Sequence, residues 1–408
     1  MSSKASELHP DENLKLGKLG PHVLRIALAV GILSLVLTLG MGLLSSDGMQ
    51  RFFFSYLLGF SFFLTLALGA LFFTVIQHLV RATWSVVVRR IAEALTGTFP
   101  LLFGLSLVIV IPMLLGHTGL YAWSDPQVAQ DSYFVSQKTG YLNVPFFALR
   151  VVFYFGVWMA ISHFFFTRSA EQDETGDPAL SDRMRVMSAP AVIGFALTAS
   201  FASFDLLMSL EPEWFSSIFG VYVFGGSMVA VFATLILVAM GLQAKGRLKR
   251  AITTEHYHDL GKFLFAFVFF WGYIAFSQFM LIWYANIPEE TFWYAMRTEG
   301  PWLWLTVALL VLHFFFPFVA LLSRHTKRRR ASLAFFAVWM LALHWLDLYW
   351  LILPTYDSEA IPFHLMDITA TLGIGGLFVA VVTRLLGRVN LLPSGDPALG
   401  ESLDFENT

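Results

Sequence analysis

Residues His344–Pro354 read HWLDLYWLILP. A histidine and an aspartate stand three residues apart, and so on one face of a helix. The surrounding run, from about 331 to 353, is otherwise almost wholly apolar. A helix needs about 20 mainly apolar residues to cross the hydrocarbon of a bilayer. Nine further runs of this kind lie at roughly 22–44, 52–76, 90–115, 142–167, 186–210, 214–242, 260–284, 301–323 and 363–386. The expectation is an all-α polytopic membrane protein with ten transmembrane helices.

Composition points the same way. The chain has 408 residues, of which 57% are hydrophobic and 13% charged, and its mean hydropathy is +0.68. A soluble domain carries about a quarter charged residues. A net charge of −2 leaves no basic footprint for nucleic acid. The absence of cysteine excludes disulfides, cysteine-held iron–sulfur clusters and C-x-x-C-H haem attachment on this chain. No H-E-x-x-H, no glycine-rich phosphate loop with its lysine and no G-x-S-x-G is present.

The basic residues give the direction. With both termini cytoplasmic, Arg51, Lys138, Arg150 and Arg297 fall outside, and the other 22 of the 26, Lys4 among them, fall inside. A wrong helix count would scatter this split. Residues 1–21 and 389–408 then read as cytoplasmic tails around one transmembrane domain, 22–388. The polar, acid-bearing start does not read as a secretory signal. The basic run Arg324–Arg330 reads as an orientation signal or a lipid contact. Trp123, Trp214, Trp283, Trp293, Trp302, Trp350 and Tyr356 lie on the outer side and suit an interfacial aromatic belt.

Two segments echo each other. FDLLMSLEP (Phe204–Pro212) closes the fifth run and LDLYWLILP (Leu346–Pro354) the ninth, each with an aspartate seven residues before a proline. The expectation is two parallel copies of a four-helix bundle, helices 2–5 (about 52–210) and 6–9 (about 214–353), flanked by helices 1 and 10. Asp205 and Asp347 become counterparts.

Ionisable groups in hydrocarbon cost at least ~2.5–3.5 kcal/mol each, so each needs a reason. At about 1.5 Å per residue, His313 and His344 fall near the midplane. Asp205, Gln278, Asp347 and Asp367 fall in the outer half. Glu93, His163, His258 and Asp259 fall near the inner face, where Glu93 and Lys262 could snorkel. His344–Asp347 and His364–Asp367 share one spacing and could line a polar path outward. Carboxylates and imidazoles hand on protons because both can be tuned towards neutral pH. A plainer reading has Asp205 or Asp347 tying helices together and Asp367 complementing a helix start. His313 and His344, single and on successive helices, do not make the repeated facing pair of a two-haem site.

The stretch DLGKFLFAFVFFWGYIAFSQFMLIWYANIPEETFWY (Asp259–Tyr294), taken with FDLLMSLEPEWFSSIFGVYVF (Phe204–Phe224) and HWLDLYWLILP, resembles the F subunits of alternative complex III. The resemblance runs over essentially all ten spans; the fifth-span motif is shared with the sister C subunits. Alternative complex III is a bacterial quinol:electron-acceptor oxidoreductase of respiratory or photosynthetic chains. The resemblance implies the fold of the polysulfide-reductase membrane subunits. It also implies a cofactor-free subunit of the bacterial cytoplasmic (inner) membrane that scaffolds the complex and conducts protons, or alternatively binds quinol. Implied partners are multihaem and monohaem cytochrome c subunits, an iron–sulfur subunit, the sister ten-helix C subunit, small membrane subunits, lipid and a terminal oxidase. Haem c and iron–sulfur clusters would sit on those partners, and menaquinol or another quinol would be the substrate. By matching motif the polar candidates are Asp205, Gln278, Tyr284, His344 and Asp347. A free-standing secondary transporter is a third reading. Pro100, Pro112, Pro190 and Pro317 interrupt spans, but no paired broken segments occur at the midplane of both halves.

Overall fold

Among the described residues, ten helices long and apolar enough to span a membrane follow one another along the chain. The computed structural model describes residues 8–47, 49–116 and 119–407, so Lys4 and the start of the N-terminal tail lie outside the described residues. The helices are α1 (Leu19–Leu43), α2 (Gln50–Leu79), α3 (Val86–Leu114), α4 (Val144–Thr175), α5 (Ala179–Leu210), α6 (Phe219–Ala244), α7 (Thr254–Ala285), α8 (Trp302–Leu322), α9 (Arg330–Thr355) and α10 (Leu365–Leu386). No strand occurs among the described residues. The chain is a multi-pass, all-α membrane protein.

The helix ends overrun the apolar windows where polar residues continue the turn. α4 extends through AEQDET to Thr175, starting from Asn143, whose side chain accepts from Phe146 N–H, and stopping at Gly176 with φ +63°. α3 breaks at Gly97–Thr98, just ahead of Pro100. Proline has no N–H and disfavours helix in the residue before it, so a break there is expected.

Both bundles are closed rings with the same order. α2 packs on α3 and α5, and α4 on the same two; α6 packs on α7 and α9, and α8 on the same two. α2 and α6, equivalent in the two rings, meet at the centre. A Cβ on Gly69 would lie 2.3 Å from the Ser227 carbonyl oxygen, so only glycine allows this approach. The flanking helices pair with each other at one edge, and α10 leans on α2. A Cβ on Gly376 would lie 2.5 Å from Gly31 Cα, the small-residue contact expected between helices in lipid.

Both tails lie on one side, with the α6–α7 loop between them. Leu391 N–H donates to Leu14 O at 2.8 Å and Arg247 Nη2 to Leu16 O at 3.0 Å. The C-terminal segment is packed rather than free. Leu391 and Leu392 are buried, and the Ser402 hydroxyl donates to Trp84 O at 2.9 Å.

The outer side corrects two expectations. Trp123, Trp214, Trp293, Trp302 and Trp350 are buried, and among the tryptophans assigned to the belt Trp283 alone is exposed. Trp214, Trp293 and Trp350 pack together: Trp214 stacks on Trp293 at 4.3 Å between ring centroids, Trp350 meets Trp293 edge-on, and the Arg297 guanidinium sits 3.6 Å from the Trp293 ring. The four outer cations are not free surface charge either. Arg51 pairs with Asp367 at 2.5 Å, and Arg150 pairs with Asp205. Lys138 donates to Pro212 O at 2.6 Å. Arg297, wholly buried, donates to the carbonyls of Trp293, Trp350 and Leu351. Burial is tolerated because each finds a carboxylate or a carbonyl.

Candidate functional site

Each bundle contains a file of buried polar side chains. In the first, α4 presents Arg150, Tyr154, Trp158 and Ser162, four residues apart and so on one face. Each meets a partner. Arg150 grips Asp205 with Nε at 2.7 Å and Nη2 at 3.0 Å, and the Tyr154 hydroxyl donates to Asp205 Oδ2 at 2.7 Å. Trp158 Nε1 donates to Thr198 Oγ1 at 2.9 Å, and Ser162 Oγ to Thr96 Oγ1 at 2.8 Å. Two turns further, Ser169 accepts from Arg90 Nη2 at 3.1 Å.

The file ends at an ion network on the tail side. Glu93, fully buried, lies between Arg90 Nε at 3.0 Å and Arg89 Nε at 3.4 Å. Arg90 also reaches Asp173 at 3.0 Å, and Arg89 is paired with Asp396 of the C-terminal segment. Glu93 therefore does not snorkel. It is a counter-ion, held by two arginines one helical turn away.

The second file lies in the middle of α8 and α9. Asp347 is buried, with no cation against it among the described residues. It accepts from the Tyr222 hydroxyl, a short bond, and from Trp271 Nε1 at 3.2 Å. Trp271 also lies against His313, with ring centroids 3.9 Å apart. His313 is wholly buried, and among the described residues neither of its nitrogens has a hydrogen-bond partner. His344 bonds Thr65 Oγ1 through Nε2 at 2.9 Å, while its Nδ1 has no protein partner. His344 and Asp347 do not bond each other. They flank Gly226, where a Cβ would lie 2.9 Å from His344 Cε1 and 3.8 Å from Asp347 Oδ2. A space of about 20 Å³ beside Thr65, also lined by Ser61 and Ser203, lies where α2, α5 and α6 come together. That is room for one water.

Local sequence explains His313. Residues Leu309–Phe315 form a wider π-helical turn. Pro317 has no N–H to give the carbonyl four residues back, that of His313. The disturbed ladder is served from outside, Trp339 Nε1 donating to Leu312 O at 2.9 Å. Gly272 makes room, since a Cβ there would lie 2.3 Å from the Phe314 ring.

The remaining candidates do not join these files. His163 is exposed on the outer surface of α4, so the expected inner cluster of Glu93, His163, His258 and Asp259 does not form. His258 and Asp259 lie in the first turns of α7, where Asp259 pairs with Lys262. The His364–Asp367 pair closes a capping box: His364 N–H donates to Asp367 Oδ2, and Ser55 and Arg51 complete the carboxylate. It is a helix start, not a second path. Gln278 is buried, accepting from Ser216 and donating to Tyr294. Tyr284, one residue before the end of α7, is 83% exposed and meets none of them.

Sequence reasoning missed Arg150, Tyr154, Trp158, Ser162, Thr96 and Tyr222. The signal for four of them was the strict four-residue spacing along α4. Among the described residues, no group of three or more His, Cys, Asp or Glu could hold a metal ion. The fold and the two files define a multi-pass membrane protein with a polar interior. No protein-family model matches the chain, and no curated protein matches it.

Proposed function

We propose that the chain is a membrane subunit of a quinol:electron-acceptor oxidoreductase of the alternative complex III type, in a bacterial cytoplasmic membrane. It scaffolds that complex and carries protons along its interior. Electrons stay on haem c and iron–sulfur partner subunits. The observation that carries the reading is the grouping of Asp347, Tyr222, Trp271, His313 and His344 inside the second bundle. Four of the five can hold or release a proton or a hydroxyl hydrogen, and two imidazoles keep nitrogens free for water. An acid buried with hydroxyl and indole donors but no cation suits proton exchange better than one locked by arginine. Asp205 is therefore a structural counter-ion in this reading, and the conducting candidates are His313, His344 and Asp347.

The test keeps the Arg150–Asp205 pair intact. His313→Gln and Asp347→Asn are made together in the assembled complex, and proton release and uptake are measured per electron in sealed vesicles. The expected result is a lower proton-to-electron ratio while quinol oxidation continues. An unchanged ratio leaves a scaffold only.

A groove of about 650 Å³ favours quinol binding as a second reading. Leu39, Phe52, Phe53, Val108 and Pro112 line it, with Asp47 at its polar end. Apolar walls with two polar side chains, Asp47 and Gln50, suit a quinol ring and tail. Crosslinking of a photo-reactive quinone to these residues would decide for it.

A further inference from the structure

At the tail side of α6 and α9, which touch near Gly226 and His344, a groove of about 560 Å³ opens between the two helices. Met240 and Ala244 form the α6 wall, Ala331 and Ala334 the α9 wall. Lys249 and Arg330 stand at its mouth, both exposed. Of the other cations on this side, Lys262 is paired with Asp259 and Arg328 with Glu255. Lys249 and Arg330 make no such pair among the described residues. The Arg330 guanidinium lies 5.2 Å from the Tyr257 ring centroid, which holds it at the groove. The floor residue Gln243 is fully engaged by Leu248 O, Ile252 O and the Tyr257 hydroxyl.

We propose that this groove binds one anionic glycerophospholipid of the adjoining leaflet. Its phosphate sits between Lys249 and Arg330, and the first methylenes of an acyl chain run along Ala331, Ala334 and Met240. Two cations at one groove, neither paired with a carboxylate among the described residues, complement a lipid phosphate. The apolar length continues one turn further to Val338, 57% exposed on the same face of α9. Small side chains at 244, 331 and 334 give the groove its width. A free inorganic anion would use the cations and leave the apolar wall bare. A peptide strand would find no unengaged polar group on the floor to pair its backbone. This site is separate from the proton files and does not depend on them.

The test uses the full chain, extracted in mild detergent with any companion subunits and then delipidated. It is offered phosphatidylglycerol, phosphatidylcholine with the same acyl chains, or inorganic phosphate. Bound lipid is counted by native mass spectrometry, and protection is read from thermal unfolding. We expect one phosphatidylglycerol retained per chain and phosphatidylcholine released. Lys249→Ala/Arg330→Ala should weaken retention on the order of thirtyfold. Ala334→Trp, which fills the groove but keeps both cations, should weaken it too, while the charge-keeping Lys249→Arg/Arg330→Lys should retain the lipid and report a sound fold. Equal retention of phosphatidylcholine, undiminished binding in the double-alanine variant, or equal protection by phosphate alone would overturn the proposal.

Discussion

Arg150 and Asp205 meet as a fork on α4 and α5, the guanidinium Nε 2.7 Å and Nη2 3.0 Å from the two carboxylate oxygens. Tyr154 closes the third side of the carboxylate. Removing one partner of such a pair strands a buried charge, which costs about 3–5 kcal/mol. Arg150→Met should therefore lower the thermal unfolding midpoint sharply in detergent. The triple variant Arg150→Met/Tyr154→Phe/Asp205→Leu, which leaves no buried charge unpaired, should recover most of the loss.

Two glycines of α6 should respond oppositely to alanine. At Gly226 the new Cβ would press on the His344 ring at 2.9 Å, whereas at Gly241 nothing lies within 4 Å. Overpacking of this kind costs about 1–3 kcal/mol, and alanine in an open helix gains up to about 1 kcal/mol over glycine. Gly226→Ala should melt earlier than the parent and Gly241→Ala no earlier.

Asp396 anchors the C-terminal segment through Arg89, and Gly395 lies so close to α4 that a Cβ there would fall 1.8 Å from Gln172 O. Asp396→Ala should release the segment from 389 onward. Limited proteolysis would then cut within 389–407 faster than in the parent, with cleavage elsewhere unchanged.

Asp47 supplies a pH dependence. Partial burial pushes its carboxyl up, but hydrogen bonds from Ser45, the Arg51 amide and Tyr356 together outweigh that and hold it below the usual carboxylate value. The folded state thus favours the charged form. Its contribution is complete above the unfolded value, about 3.9, and is lost as pH falls through the lower folded value. The gap in unfolding midpoint between the parent and Asp47→Asn should be present at pH 7 and close towards pH 3.

The spans and the two bundles were legible in the sequence, because hydropathy responds directly to the bilayer and the same Asp–Pro spacing closes the fifth and ninth spans. The pairing of interior groups was not. Depth along a helix says nothing of the direction a side chain faces, so of Ser162 and His163, at nearly equal depth, the first is buried in the bundle and the second is exposed. Arg51 and Arg150 were sorted as outer charges for the same reason, although each is the counter-ion of an aspartate on another helix. Asp347 and His344 were found by their incongruity among apolar neighbours. Tyr222 and Trp271 were invisible by that route, since aromatic residues are ordinary in a membrane span.

Because Arg51, Lys138, Arg150 and Arg297 all turn inward, the far surface is left with carboxylates such as Asp125, Asp131, Glu213, Glu289, Glu299 and Glu359. The tail side carries the excess of lysine and arginine. A formal total of −2 thus conceals two oppositely charged sheets facing each other across the hydrocarbon. The polypeptide is an electric dipole set along the bilayer normal. Its anionic sheet gathers small cations, hydronium included, within about a Debye length of ~8–10 Å.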